Sequence, residues 1–205
     1  GRREGYPVRS LFSVQFQGLD EDGLPTFLNE KGKVTSDDIN FQERENLDFL
    51  KYEGPTDPTI QGSLGNIFKY KGFALNVFMT YSFGNVVRLD PVFSATYSDL
   101  SSMTKEFKNR WVQPGDEKYT DVPVILSYYQ YQNNKQLRYG YNAYNYSDVR
   151  IAKGDFIRMK EISLSYDFPK AWIHPLNNLS LKLQATNLFL IYADKKLNGQ
   201  DPEFF

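Results

Sequence analysis

The stretch "FALNVFMTYSF", Phe73 to Phe83, restricts this chain more than any other part of it. Its odd positions, Phe73, Leu75, Val77, Met79, Tyr81 and Phe83, are all apolar or aromatic, while the even positions read Ala74, Asn76, Phe78, Thr80 and Ser82. A period of two is a strand with one unbroken apolar face. Helical spacing fits worse, because Asn76, Thr80 and Ser82 would interrupt any stripe. A weaker alternation, "IQGSLGNIFKY" from Ile60 to Tyr70, comes just before, and only Lys71-Gly72 separates the two. Glycine at the second central position suits a tight type I′ hairpin turn. That turn predicts the pairs Tyr70–Phe73, Phe68–Leu75, Leu64–Met79 and Ile60–Phe83. It also puts Gly62 opposite Tyr81 and Gly65 opposite Phe78, where a ring can cover bare glycine backbone. Asn66 falls on the apolar face opposite Val77, against the pattern.

Later segments repeat the theme. "LSLKLQATNLF", Leu179 to Phe189, sets Leu179, Leu181, Leu183, Ala185 and Phe189 on one face. "FIRMKEISLSYDF", Phe156 to Phe168, ends with Ile162, Leu164, Tyr166 and Phe168 in phase, but Arg158 and Lys160 share that face. Either a bulge sits near Lys160-Glu161 or those two residues stand beyond the apolar zone. Phe12, Val14 and Phe16 form a shorter alternating segment near the start. The connections are uneven. Lys71-Gly72 and Pro169 to Asn178 are short, whereas 18–59 and 84–155 are long and polar. Structureless connections beyond about 15 residues are uncommon in compact domains. Counted along the chain, both long segments fall at one end of the sheet and both short ones at the other. Short turns at one end and long loops at the other are the pattern of an outer-membrane barrel, with the long loops outside.

Composition narrows the chemistry. The 205 residues carry a formal net charge of -1, so no broad basic field argues for nucleic acid. Cysteine is absent, which removes disulfides, zinc thiolates and thiol nucleophiles. No run of about 18 apolar residues exists that could form a membrane-spanning helix. His174, beside Pro175 in a short turn, is the single histidine and reads as a solvated turn residue, not a base. Asp20-Glu21-Asp22-Gly23 lacks the spaced ligands and distal Glu of a calcium loop and reads as a polar turn. No enzyme, no cofactor and no metal site is expected.

A soluble β-sandwich binding module, with a tyrosine-rich loop as its platform, would alternate too. Three features favour the membrane. The strands match the roughly 9 to 11 tilted residues that cross the hydrocarbon layer. Aromatics bracket an aliphatic middle in the best strand, and Trp172 extends such a girdle at the short-turn end. The polar faces carry Thr, Ser, Asn and Gln, which suit a wet lumen. The reading is an all-β chain: antiparallel strands of a large transmembrane barrel with long extracellular loops. Phe73, Leu75, Val77, Met79, Leu164, Leu181 and Leu183 are assigned to the lipid.

Several segments also resemble a known family. "GYPV", "GLDEDGLPTF", "DPT" at Asp57 to Thr59, "YKGFALNVFMTYSFGN", "RWVQPGD", "DFIRMKEISLSYDFP" and "NLFLIYADKKLNGQDPE" are similar, in this order, to the C-terminal barrel of the SusC/RagA family. The resemblance implies a TonB-dependent importer of glycans or peptides in a Gram-negative outer membrane. It implies a plug domain through which the TonB complex acts, and a SusD-like lipoprotein over the extracellular mouth. Barrels of about 22 strands are the architecture concerned. Residues 1–205 would be a C-terminal part of such a barrel, with the plug and a final strand outside the sequence. An open sheet cannot sit in lipid, because its edge N–H and C=O groups would go unpaired. The remainder of the barrel is therefore an expected partner, as is membrane lipid.

The segment "SYYQYQNNKQLRYGYNAYNYSDVR", Ser127 to Arg150, carries a tyrosine at nearly every third position on the second long loop. Tyrosine pairs an apolar face with a polar tip and suits half-wet places. Tyr139, Tyr141 and Tyr144 are expected to stack on oligosaccharide or peptide cargo. Tyr128, Tyr129, Tyr131, Tyr146 and Trp111 are expected to pack loops or meet the lipoprotein.

Overall fold

The computed structural model describes residues 4–40, 47–93 and 103–203, so the loop portions 41–46 and 94–102 lie outside the described residues. In chain order the strands are β1 (Ser10–Val14), β2 (Phe16–Leu19), β3 (Pro25–Leu28), β4 (Val34–Thr35), β5 (Leu50–Pro55), β6 (Ile60–Tyr70), β7 (Phe73–Phe83) and β8 (Val86–Arg88). Two helices follow, α1 (Tyr128–Asn133) and α2 (Leu137–Asn145), and then β9 (Ile151–Lys153), β10 (Phe156–Asp167) and β11 (Ser180–Ala193). No described helix is long and apolar enough to cross a membrane.

Four long antiparallel strands, ordered β11-β10-β7-β6, make the wall. The β6–β7 register runs from Ile60 opposite Phe83 to Tyr70 opposite Phe73, as the two-residue turn predicts. Lys71 (φ 44°) and Gly72 (φ 87°) both take the positive φ of a type I′ turn. A Cβ at Gly62 would stand 2.5 Å from the Tyr81 hydroxyl, and one at Gly65 would stand 3.2 Å from the Phe78 ring. Both rings therefore lie over glycine. Asn66 sits opposite Val77 as expected, and nothing in the structure explains it.

The phase conflict in β10 is settled by a bulge. Both of its pairings shift register between Met159 and Glu161. Met159 then faces Met79 on the apolar side, and Arg158 faces Thr80 on the polar side. Strand β11 runs on to Ala193, past the expected end at Phe189. Asn187 takes a positive φ of 51° and breaks the alternation there, leaving "LFLIY" without a readable period.

Leu164 is 41% exposed and Leu181 56% exposed, while Leu75, Val77 and Met79 are half-buried. A sandwich would bury this face under a second sheet, and among the described residues none covers it. At the short-turn end, Phe73, Tyr166 and Phe168 form a ring cluster, with centroids 4.4 and 4.9 Å apart. Within the described residues, β6 and β11 have no further strand on their outer edges.

The loops are not structureless. Segments from before β6 and between β7 and β10 fold together into a loop body with its own core of Val14, Phe27, Ile39, Val92, Val122, Ala143 and Tyr144. The alternating Phe12–Phe16 segment belongs here and not to the wall. β1 pairs with β5, and β2 pairs with β3 in a small three-stranded sheet with β4. At five and four residues, β1 and β2 are too short to span the hydrocarbon. A second core, Val87, Leu89, Ala152 and Leu197, joins the loop body to the end of the wall.

Gly140 of α2 lies against the neighbouring loop, and a Cβ there would meet the Ser36 carbonyl oxygen at 2.0 Å. Gly140→Ala is expected to destabilise the loop body by about 1–3 kcal/mol, since backbone must move. Amide exchange around residues 25–36 and 137–145 measures it.

Candidate functional site

The tyrosine-rich segment forms two short helices, α1 and α2. Ser127 caps α1 in a capping box: its Oγ accepts the Gln130 N–H at 3.2 Å, and Gln130 Oε1 accepts the Ser127 N–H at 3.0 Å. On α2, Leu137, Gly140, Tyr141 and Tyr144 fall three or four residues apart, which places them on one buried face.

That geometry separates the tyrosines. Tyr144 is 1% exposed and makes edge contacts with Phe16 and Phe93, at 5.8 and 5.7 Å between centroids. Tyr141 is also buried, edge-on to Phe93 at 5.0 Å, and its hydroxyl donates to the Val124 carbonyl at 2.6 Å. Burial pushes both phenols up, so they stay neutral. The expectation that Tyr141 and Tyr144 stack on cargo is therefore corrected. Their rings are core, because helical spacing turned them inward.

The remaining tyrosines face outward to different degrees. Tyr128 and Tyr129 are 78% and 75% exposed. Tyr131 and Tyr139 are half-buried. The Arg138 guanidinium lies 4.8 Å over the Tyr139 ring and donates to its hydroxyl at 2.8 Å. Tyr146 is half exposed, with Arg88 stacked 4.8 Å from its ring. Burial lowers the pKa of Arg88, which nonetheless donates to the Phe12 carbonyl at 3.0 Å.

Trp111 is buried between loops. A Cβ at Gly23 would come within 2.4 Å of its ring, and its indole N–H donates to Glu117 Oε2 at 3.1 Å. N–H groups of Glu117 itself, Trp111 and Gly115 hold the Glu117 carboxyl below the usual carboxylate range. In the Asp20–Gly23 turn, Asp20 Oδ1 accepts the N–H groups of Asp22 and Leu24 at 3.0 and 2.8 Å. That carboxylate is engaged by its own turn. Burial raises its pKa. Among the described residues no cluster of His, Asp or Glu is arranged to hold a metal.

Beside α2 lies a cleft of about 510 Å³, bounded by Glu106, Arg110, Tyr119, Asp121, Arg150 and Lys196. Arg150 at its floor is 2% exposed, paired with Glu106, and donates to the Asp90 carbonyl at 2.7 Å. Lys196 on the rim has its pKa lowered by burial, with Asp148 as the leading opposing influence. The cleft thus brings both signs of charge and the Tyr119 phenol into a small space.

The polar side of the wall carries a second charged group that the residue pattern had not marked as a site. Arg158, 4% exposed, meets Asp201 Oδ1 at 2.5 Å and Glu203 Oε2 at 2.8 Å. Its other terminal nitrogen donates to Asn187 Oδ1 at 3.3 Å, and Lys160 pairs with Glu203 at 2.8 Å. Nearby, Asn76 donates to Glu161 at 3.0 Å. A basic residue in a strand with acids about forty positions later was the available signal, but the alternation alone did not show which face Arg158 took.

No family model matches the chain. It is 30% identical over 181 residues to a curated TonB-dependent receptor of Formosa agariphila, covering 81% of this chain and 16% of that receptor. In fold it is similar to the RagAB peptide importer in the open-open state, with a TM-score of 0.62, 21% identity, and coverage of 97% of this chain and 20% of the other. The closed-closed state of the same importer gives a TM-score of 0.62, 22% identity, and coverage of 97% and 21%.

Proposed function

We propose that this chain, 30% identical to a TonB-dependent receptor and similar in fold to the RagAB importer, forms barrel wall and outer loops of an energy-coupled importer of the SusC/RagA type in a Gram-negative outer membrane. The observation that carries this reading is the four-stranded wall with its leucine-rich face uncovered. In water that face would drive association, whereas in lipid it is at rest. The opposite face, with Asn76, Thr80, Ser163 and Ser165, lines a wet interior. The bare outer edges of β6 and β11 pair with further strands of the same barrel. The full protein supplies the plug that the TonB complex pulls upon.

The loop body then sits over the extracellular mouth, where a SusD-like lipoprotein closes on it. Its mixed-charge cleft favours peptide over neutral glycan as cargo, since a peptide brings its own charges and backbone donors. The solved importer it resembles in fold is described as a peptide importer. Tyr139, stiffened by Arg138, and the exposed Tyr128 and Tyr129 are the rings free to touch cargo or partner.

Alanine at Tyr128, Tyr129 and Tyr139 together, in the full-length receptor, is expected to weaken peptide binding about tenfold or more, the worth of one or two aromatic anchors. Binding to the purified receptor and uptake by cells measure it. Unchanged affinity and uptake, with the receptor at normal surface levels, would remove these rings from recognition.

A further inference from the structure

The segment after β11 touches two parts of the molecule at once. Towards the loop body, Leu197 is 1% exposed within the core of Val87, Leu89 and Ala152. Asp194 Oδ2 accepts the Lys153 N–H at 3.0 Å, and Gln200 Oε1 accepts the Asp90 N–H at 3.1 Å. Towards the wall, Asp201 and Glu203 close on Arg158, and Glu203 also holds Lys160.

We propose that Asn198–Glu203 is a tether that fixes the loop body to the polar face of the wall, with Arg158 as the residue that positions it. This goes beyond the importer reading and stands without it.

The physical case rests on the buried guanidinium. Arg158 is nearly sealed from water, and a buried charge without a counter-charge is strongly disfavoured. Among the described residues, only Asp201 and Glu203 form ion pairs with it. Glu161, the acid next to the bulge, accepts from Asn76 instead. Two cations from β10 thus meet two carboxylates from the segment, and neither side is neutralised without the other. The bulge at Lys160 is what brings Arg158 onto the face where the acids can reach it. Leu197 and Gln200 lie a few residues away on the same short piece of chain, so holding its acids also holds the loop-body contacts. The Asp201 carboxylate is partly open to water, which suits a hold that is firm and yet separable.

Hydrogen exchange on the purified full-length receptor tests the proposal. In Asp201→Asn/Glu203→Gln, which alters nothing in β10, the amides of residues 198–203 should exchange at least tenfold faster. Residues 86–90 and 150–153 of the loop body should follow, while the amides of β7 and β10 keep their protection. Arg158→Met should do the same, and Arg158→Glu combined with Asp201→Arg should restore protection that Arg158→Glu alone loses. Unchanged exchange at 198–203 in the segment-side variant would overturn the ion pairs as the hold. Faster exchange at 198–203 with an unmoved loop body would overturn the tether. Restoration by the reversed pair is a result that mere misfolding of β10 could not give.

Discussion

Tyr144→Ala should cost the loop body about 3–5 kcal/mol, the range for removing a large buried ring, while Tyr128→Ala should stay within about 0.5 kcal/mol, as an exposed substitution does. The contrast follows from position, since both residues lie in the same tyrosine-rich segment. Tyr144 is enclosed by Phe16 and Phe93 and shares a core with Phe27, Val92 and Val122. Removing it leaves a cavity that three separate chain segments would have to fill, and none is free to move alone. Tyr128 projects from the first turn of a short helix into solvent. Amide protection of residues 137–150 in the detergent-purified receptor measures both variants. Equal, small losses would show that the loop body has no cooperative core of its own.

The second large effect belongs to the wall. Val77 lies at the centre of β7, on the face with Ile162 of β10 opposite it. With that face in lipid, Val77→Arg should cost about 2–4 kcal/mol of barrel stability, as a charge near the bilayer midplane does. Asn76→Arg, one position away, should be tolerated far better. Asn76 lies on the polar face and donates to Glu161, so a guanidinium there meets an existing carboxylate. Equilibrium unfolding in vesicles compares the two. Equal damage from both would mean a core packed on both faces, and the importer reading would fall with it.

How much of this was readable beforehand depended on the kind of element. β6 and β7 were fully legible, to the residue, because an adjacent turn and a clean period of two leave one register. β10 was legible up to an ambiguity: alternation announced a phase break but could not say whether a bulge or the membrane boundary caused it. β11 was cut short because the positive φ at Asn187 destroys the period that would have carried the reading to Ala193. The loop body is not legible in the sequence. Its core is assembled from residues as far apart as Val14, Val92 and Tyr144. No local period reports such contacts, and β1 and β2 are too short to reveal by alternation which partners they have. The tyrosines failed for a related reason. As a loop they looked equivalent, whereas α2 sorts them by its turn of 3.6 residues, sending Tyr141 and Tyr144 inward and leaving Tyr139 at the margin.

The extra residue in β10 also bears on how such walls can be recombined. A strand exchanged between relatives at a junction before Met159 and after Ile162 must import its insertion intact. Losing that single position would swing Arg158 and Ile157 through a half-turn, presenting a guanidinium on the apolar face and a branched alkyl group on the polar one. The unit of inheritance here is therefore a strand together with its irregularity, and chimaeras spliced by sequence length alone would be built inside out over half their height.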